Sequence, residues 1–111
     1  MSRAGNLFAD IGCTEQERFD ELLSQPGIRI ERIVSTGQST PEPEWLVQDW
    51  AEWVLLLSGG AGLLLEGEAE TRTLAPGDWL LLPAGVRHRV EWTQGGGPTV
   101  WLAVHIGDNL P

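Results

Sequence analysis

The sequence predicts an all-β fold, an antiparallel sandwich or barrel, with one short helix near the N-terminus. Glycine and proline, with 14 and 7 residues, punctuate the second half of the chain, and the segments between them are rich in Val, Leu and Trp. Short, evenly spaced strands separated by such turn residues are typical of a sandwich or barrel. The 111 residues fit a single domain, and 41% apolar residues suffice for a core.

The N-terminal third differs, and residues 14–24 are predicted to form a helix. Thr14 and Glu17 have the spacing of a capping box, in which each side chain satisfies a free amide at the start of a helix. Apolar residues then recur three and four positions apart, as on one helical face: Phe19, Leu22 and Leu23. Pro26-Gly27 ends the pattern. We expect this helix to act as a lid or brace on the sheet.

From Ile28 the period of the sequence changes to two, which is the period of a strand. Residues 28–33 alternate between a polar and an apolar face. The further predicted strands are 46–57, which a bend could interrupt, then 63–65 and 70–74 around a turn at 66–68, and finally 79–82, 87–92 and 99–106. We therefore divide the single domain into an N-terminal segment, residues 1–27, and a barrel, residues 28–111.

Charge and composition exclude several classes of function. Acidic residues outnumber basic ones 16 to 7, for a net charge of −9, which argues against nucleic acid or an anionic membrane as a partner. The chain has no lysine and no tyrosine, so Schiff-base chemistry, a P-loop and a tyrosine general acid are excluded. The one cysteine, Cys13, cannot form an internal disulfide. Without a long apolar run or a signal-peptide pattern, we expect a soluble cytoplasmic protein.

Residues 77–88, Gly-Asp-Trp-Leu-Leu-Leu-Pro-Ala-Gly-Val-Arg-His, carry the strongest chemical signal. Their pattern is G-x5-P-x-G-x2-H, which describes a tight turn, a buried strand and a second turn imposed by a proline and a glycine. His88 then begins the next strand, and the period of two places it on the inward face with Val90 and Trp92. An inward histidine at the mouth of a barrel is a candidate ligand or acid–base group.

The pattern resembles the second sequence motif of the cupin superfamily, G-x5-P-x-G-x2-H-x3-N. It matches at every fixed position except the last, where Trp92 replaces Asn. The resemblance extends over roughly residues 28–106, on motif spacing and strand rhythm together. The chain is thus similar to small single-domain bacterial cupins, and the resemblance implies a conical, jelly-roll-like antiparallel barrel.

The first cupin motif, G-x5-H-x-H-x3/4-E-x6-G, is matched only in its second part. Glu52 is followed by six residues and then Gly59, as the motif requires. The two histidine positions instead fall on other residues: Leu46 and Gln48, or Trp45 and Val47 with the longer spacer. The sequence therefore resembles a cupin whose first motif is altered.

In typical cupins these motifs hold a divalent metal with two histidines and a glutamate from the first motif and one histidine from the second. Carried over by position, Glu52 and His88 remain, Gln48 replaces one histidine, and Leu46 cannot coordinate. The fourth candidate is His105, which faces a cavity if the small Ala103 marks the inward side of the last strand. Such a set would suit Fe, Mn, Ni, Zn or Cu without choosing among them.

Three hypotheses about function remain open. The first is a metal-dependent cupin that binds or transforms a small organic molecule, with the reaction unassigned. The second is a metal-free ligand-binding or sensing domain, in which Glu52 and His88 form a hydrogen-bonded pair. The third is a structural, dimer-forming domain. In the first two, further inward side chains line the pocket: Trp50, Trp92, Val54, Val90 and Ala103.

The predicted third strand also suggests how the chain assembles. An inward Glu52 places Trp53, Leu55 and Leu57 on the outer face of the same strand. Such an apolar row needs a cover, either the N-terminal segment or a second copy of the chain. We therefore expect a homodimer.

Overall fold

A computed structural model describes residues 2–12 and 15–111 of the chain. Eight β-strands lie within these residues. They are β1 Arg18–Gln25, β2 Ile28–Ser35, β3 Ala51–Ser58, β4 Ala61–Leu65, β5 Arg72–Leu74, β6 Trp79–Leu82, β7 His88–Thr93 and β8 Thr99–Ile106. A five-stranded sheet has the order β1-β2-β8-β3-β6, and a three-stranded sheet has the order β5-β4-β7. All pairings are antiparallel, so the all-β prediction is confirmed. Within the described residues, the two strand ladders do not join into one closed ring.

The predicted helix over residues 14–24 is wrong, because most of this stretch is a strand. β1 pairs with β2 from Arg18, opposite Val34, to Gln25, opposite Ile28. Pro26-Gly27 forms the turn of this hairpin: proline fixes φ at about −65°, and Gly27 has φ of 83°, as a type II turn requires. The predicted N-cap, Thr14, lies outside the described residues, and no helix long and apolar enough to cross a membrane is found within them.

A β-bulge produces the spacing that had indicated a helix. In the register of β1 with β2, Glu21 pairs with Glu31 and Leu23 with Ile30, so Leu22 is an extra residue on β1. The bulge changes the phase of the strand, and apolar residues therefore recur three and four positions apart. A helix of this length would be marginal on its own, whereas the hairpin satisfies its backbone groups in a ladder.

The predicted strand over residues 46–57 is divided, and its first part joins the other sheet. β3 begins at Ala51, whereas Leu46 forms an isolated bridge with His88 at the start of β7. Backbone hydrogen bonds also join Thr40 N to Val90 O at 2.9 Å and Gly85 N to Gln48 O at 2.8 Å. Residues 40–48, which we call the β7 strap, therefore run beside β7 on the side away from β4.

A buried arginine fastens the β7 strap. The Arg89 guanidinium donates hydrogen bonds to the carbonyl oxygens of Glu44 at 3.1 Å and Thr40 at 3.0 Å. It also lies over the ring of Trp45, 5.8 Å from the centroid. Because the donor is charged, each hydrogen bond is stronger than one between neutral groups.

The hydrophobic core lies between the two sheets. Both sheets contribute buried side chains to it, namely Leu56, Ala61, Leu63, Leu74, Leu82 and Trp101. The indole N–H of Trp101, which needs a partner when buried, donates to Ser35 Oγ at 3.2 Å. Beyond this core, β3 and β8 continue with Glu52 opposite His105. The same two strands therefore build the core and begin the candidate site.

We predict that Gly59→Ala lowers the free energy of unfolding by about 2–5 kcal/mol. Gly59 has φ of 91°, and an added Cβ would lie 2.7 Å from the buried Thr99 Cα. Gly67 is the matched control, because it has φ of 93° but no atom within 4 Å of an added Cβ. Gly67→Ala should cost only about 1–2 kcal/mol. Equal losses in urea unfolding would contradict the steric argument.

We predict that Arg89→Met lowers the free energy of unfolding by about 2–4 kcal/mol, because the carbonyls of the β7 strap lose their charged donor. Arg87 is the control, because it is exposed, pairs with Glu66 at 3.2 Å and lies over the same Trp45 ring at 5.9 Å, whereas the hydrogen bonds to the strap carbonyls come from Arg89. Arg87→Met should cost less than about 1 kcal/mol. The prediction fails if denaturant unfolding gives the same loss for both variants.

Candidate functional site

A cavity of about 410 Å³ lies between the sheets. The β7 strap forms part of its wall, and apolar side chains from both sheets form much of the rest. The cavity brings together all four predicted ligands, Gln48, Glu52, His88 and His105. A volume of this size is typical of sites for small organic molecules.

The predicted lining residues divide into two groups. Val54 and Val90 lie in the cavity wall, whereas Trp50, Trp92 and Ala103 do not. Trp92 lies instead against the backbone of Gly62, where an added Cβ would be 2.1 Å from its Nε1 atom. Ala103 is fully buried, and Trp50 acts through a hydrogen bond to His105 described below.

Glu52 is a buried carboxylate held by a neutral partner. It is the second residue of β3 and is only 9% exposed. Gln48 Nε2, at the end of the β7 strap, donates to Glu52 Oε1 at 3.0 Å. The second carboxylate oxygen, Oε2, has no hydrogen bond within the described part of the chain. The amide therefore positions the carboxylate and leaves one oxygen free.

His88 has one ring nitrogen occupied and one free. The side chain is 4% exposed, and its Nδ1 atom lies 3.1 Å from the carbonyl oxygen of Val86. Because a carbonyl can only accept, Nδ1 carries the proton of this bond, and Nε2 of the neutral ring bears a lone pair. Nε2 has no partner among the described residues. The hydrogen bond between His88 and Glu52 expected under the metal-free hypothesis is therefore not formed.

His105 is fixed from both sides. Trp50 Nε1 lies 2.8 Å from His105 Nδ1, and His105 Nε2 lies 2.8 Å from Glu31 Oε1. Since an indole N–H can only donate, Nδ1 accepts, and the ring proton is on Nε2, directed at the carboxylate. The Trp50 and His105 rings meet edge to face, with centroids 6.1 Å apart. This hydrogen-bonded chain therefore holds His105 as a neutral imidazole with neither nitrogen free.

The predicted ligands do not fit a divalent metal. Within residues 2–12 and 15–111, no group of three or more His, Cys, Asp and Glu side chains is placed to hold a metal ion. His105 could coordinate only by giving up Trp50 or Glu31. The free donors are the Glu52 carboxylate, His88 Nε2 and the Gln48 amide oxygen, a set with one imidazole in place of the three that typical cupin motifs supply.

Sequence reasoning missed three acidic residues of the cavity: Glu17, Glu31 and Glu44, the last an exposed residue of the β7 strap. Glu31 has the same phase on β2 as Ile33, which packs against the core. Strand parity could therefore have placed Glu31 inward. Glu17 accepts a hydrogen bond from Ser35 Oγ, and no signal in the sequence indicates this contact, because the pattern of residues 14–24 predicts a helix.

Comparison with known proteins gives the same fold. The cupin domain family model matches residues 32–105. A protein of Ralstonia eutropha JMP134, described as a putative mannose-6-phosphate isomerase, is 50% identical and has a TM-score of 0.93. The match covers 95% of this chain and 98% of that protein. No curated protein sequence shows significant similarity.

More distant structures share the fold alone. A cupin superfamily protein of Desulfitobacterium hafniense DCB-2 is 20% identical with a TM-score of 0.70, over 86% of this chain and 81% of its own. An RmlC-like cupin family protein of Methanocaldococcus jannaschii is 15% identical with a TM-score of 0.71. The match covers 97% of this chain and 93% of that protein. With the family model spanning β3 to β8 and both motif regions, this chain is a member of the cupin family.

Proposed function

We propose that this cupin binds a small organic molecule directly in the cavity between its sheets, without a metal ion. The observation that carries the proposal is the pair of free acceptor atoms, Glu52 Oε2 and His88 Nε2, on side chains more than nine-tenths buried. Inside a largely apolar cavity, such atoms are hydrated less well than in open water. A bound molecule that donates to them would supply the missing hydrogen bonds.

The free acceptors are open to the cavity rather than sealed inside the protein. In the described part of the chain, the one fully enclosed side-chain polar atom without a hydrogen bond is Arg89 Nε, which has only an ion-pair contact with Glu91 at 3.5 Å. The free atoms of Glu52 and His88 therefore retain access to the cavity space. Apolar walls beside them, including Val54 and Trp101, would pack against the body of the bound molecule.

The description of the Ralstonia protein suggests a phosphorylated sugar as an alternative occupant, and no observation in this chain favours it. Phosphate is bound in proteins by arginine, lysine or clusters of N–H donors. The chain has no lysine, and no arginine is found among the described residues that line the cavity. We therefore propose an unphosphorylated ligand.

We predict that chelator-treated protein binds small neutral ring compounds, with benzyl alcohol as the probe, and that Val54→Phe removes this binding by filling the cavity. Leu55→Phe is the matched control, because Leu55 is the next residue of β3 and is not part of the cavity wall. Ligand-observed NMR measures the binding of benzyl alcohol to each protein.

Two outcomes would contradict the proposed function. One is the absence of binding by benzyl alcohol and by its charged analogues benzylammonium and benzoate, or benzyl alcohol binding that survives Val54→Phe. The other is a rise in melting temperature on adding Fe, Mn, Ni, Zn or Cu that His88→Ala abolishes, because ligand binding to the folded state alone raises its stability. That second result would restore the metal hypothesis.

We also propose that two copies of the chain form a homodimer through the outer face of the five-stranded sheet. Trp53 pairs with Leu81, and Leu55 with Trp79, across β3 and β6. The rings of Trp53 and Trp79 are 6.1 Å apart, yet Trp79 is 61% and Leu81 49% exposed. In a chain of net charge −9, this uncharged apolar row is where two copies meet with least repulsion.

The dimer proposal predicts that Trp79→Glu shifts the protein to a monomer in sedimentation at micromolar concentration. The substitution places a carboxylate against its own symmetry mate or an apolar surface in a two-fold interface. Phe8→Glu is the control, because Phe8 is also an exposed apolar residue but lies in the N-terminal segment. A wild-type protein that sediments as a monomer, or equal dissociation by both variants, would contradict the proposed interface.

A further inference from the structure

We propose that the molecule bound in the cavity is a cation with a small apolar body, such as a protonated amine, an inference that rests on the proposed function. Four glutamates line the cavity, Glu17, Glu31, Glu44 and Glu52. Their charge alone would not define a site. Their hydrogen-bond partners and the free acceptors beside them are arranged in a way that favours a cation.

Three of the four cavity carboxylates have neutral partners, and the fourth, that of Glu44, belongs to an exposed residue of the β7 strap. Ser35 Oγ donates to Glu17, His105 Nε2 to Glu31, and Gln48 Nε2 to Glu52. Since Trp50 donates to the other nitrogen of His105, that imidazole is neutral. These hydrogen bonds hold the carboxylates in place without compensating their negative charge.

Five of the seven arginines form ion pairs elsewhere. Of the other two, Arg3 lies in the N-terminal segment, and the Arg29 guanidinium lies over the Trp50 ring, 5.7 Å from its centroid. The ion pairs of the described residues, leaving aside the contact of the neutral His105, join arginine to acids outside the cavity wall: Asp20, Glu42, Glu66, Glu68 and Glu91. No described arginine lines the cavity, and the sequence has no lysine. The cavity therefore has uncompensated negative charge in a partly desolvated place, where a cation is favoured and an anion repelled.

The free atoms of the site have the same preference, and they are an independent observation. Glu52 Oε2 and His88 Nε2 belong to side chains 9% and 4% exposed, and both can only accept in the states described. An ammonium group has only donors and would satisfy both acceptors. A fully ionised carboxylate or phosphate has only acceptors and would satisfy neither.

The apolar part of the wall defines the rest of the molecule. Val54, Leu82 and Trp101 lie in the cavity wall beside the acceptors, so an apolar body would leave water on binding. A ring or short aliphatic chain that carries one ammonium group therefore matches the cavity in both charge and shape.

The test compares three probes of one shape and different charge: benzylammonium, benzyl alcohol and benzoate. At neutral pH we expect benzylammonium to bind at least about tenfold more tightly than benzyl alcohol, and benzoate not to bind measurably. Calorimetric titration of the full chain gives each dissociation constant. The preference should persist at raised salt, because a buried charge is screened less than the acidic surface.

Charge-neutralising variants test whether the preference for benzylammonium arises from the carboxylates of the cavity. Glu52→Gln keeps an oxygen that can accept from Gln48 and should reduce the advantage of benzylammonium over benzyl alcohol several-fold. Glu70→Gln removes one charge from an exposed turn and should leave that advantage unchanged. Glu31→Gln, which can still accept from His105, is a second test if Glu52→Gln does not fold.

The outcomes separate this inference from the proposed function. Equal or tighter binding of benzyl alcohol or benzoate would overturn the cationic ligand and leave a small-molecule cavity in place. An equal effect of Glu52→Gln and Glu70→Gln would also overturn it, because the preference would then arise from surface charge. Failure of all three probes to bind would instead contradict the proposed function.

Discussion

The site depends on the attachment of the β7 strap to the three-stranded sheet. Without Arg89 and the backbone bonds to β7, residues 40–48 would have no fixed path between β2 and β3. These bonds make the strap one wall of the cavity and place Gln48 Nε2 at 3.0 Å from Glu52 Oε1. Hydrogen bonding of a loop's buried backbone thus both shapes the cavity and orients its carboxylate.

The directions of the hydrogen bonds decide what the cavity can bind. Val86 fixes the proton of His88 on Nδ1, and Trp50 fixes that of His105 on Nε2. His88 therefore keeps a free acceptor nitrogen, whereas both ring nitrogens of His105 are hydrogen-bonded and its Nε2 donates to Glu31. The two histidines of the cavity differ in the ring nitrogens they leave free because their neighbours differ, and this difference supports the proposed metal-free binding of a donor-rich ligand.

Much of the fold could be predicted from local pattern. The period of two identified β2 and β8, and the spacing of turn residues placed β6 and the start of β7. The helix predicted for residues 14–24 is wrong, because a bulge at Leu22 gives a strand the apolar spacing of a helix. The break before β3 was also not located, since pairing of Leu46 with His88 depends on a strand about 40 residues away.

The sequence by itself determined the cupin motifs, the inward phase of Glu52 and His88, and an acidic chain without lysine. These features follow from residue identity and strand parity. Only the tertiary structure decided which polar atoms are free, because each hydrogen bond that occupies or spares them joins residues from different strands or loops. The Trp50–His105–Glu31 chain spans three separate segments, and no local spacing could show that it leaves His105 without a free nitrogen.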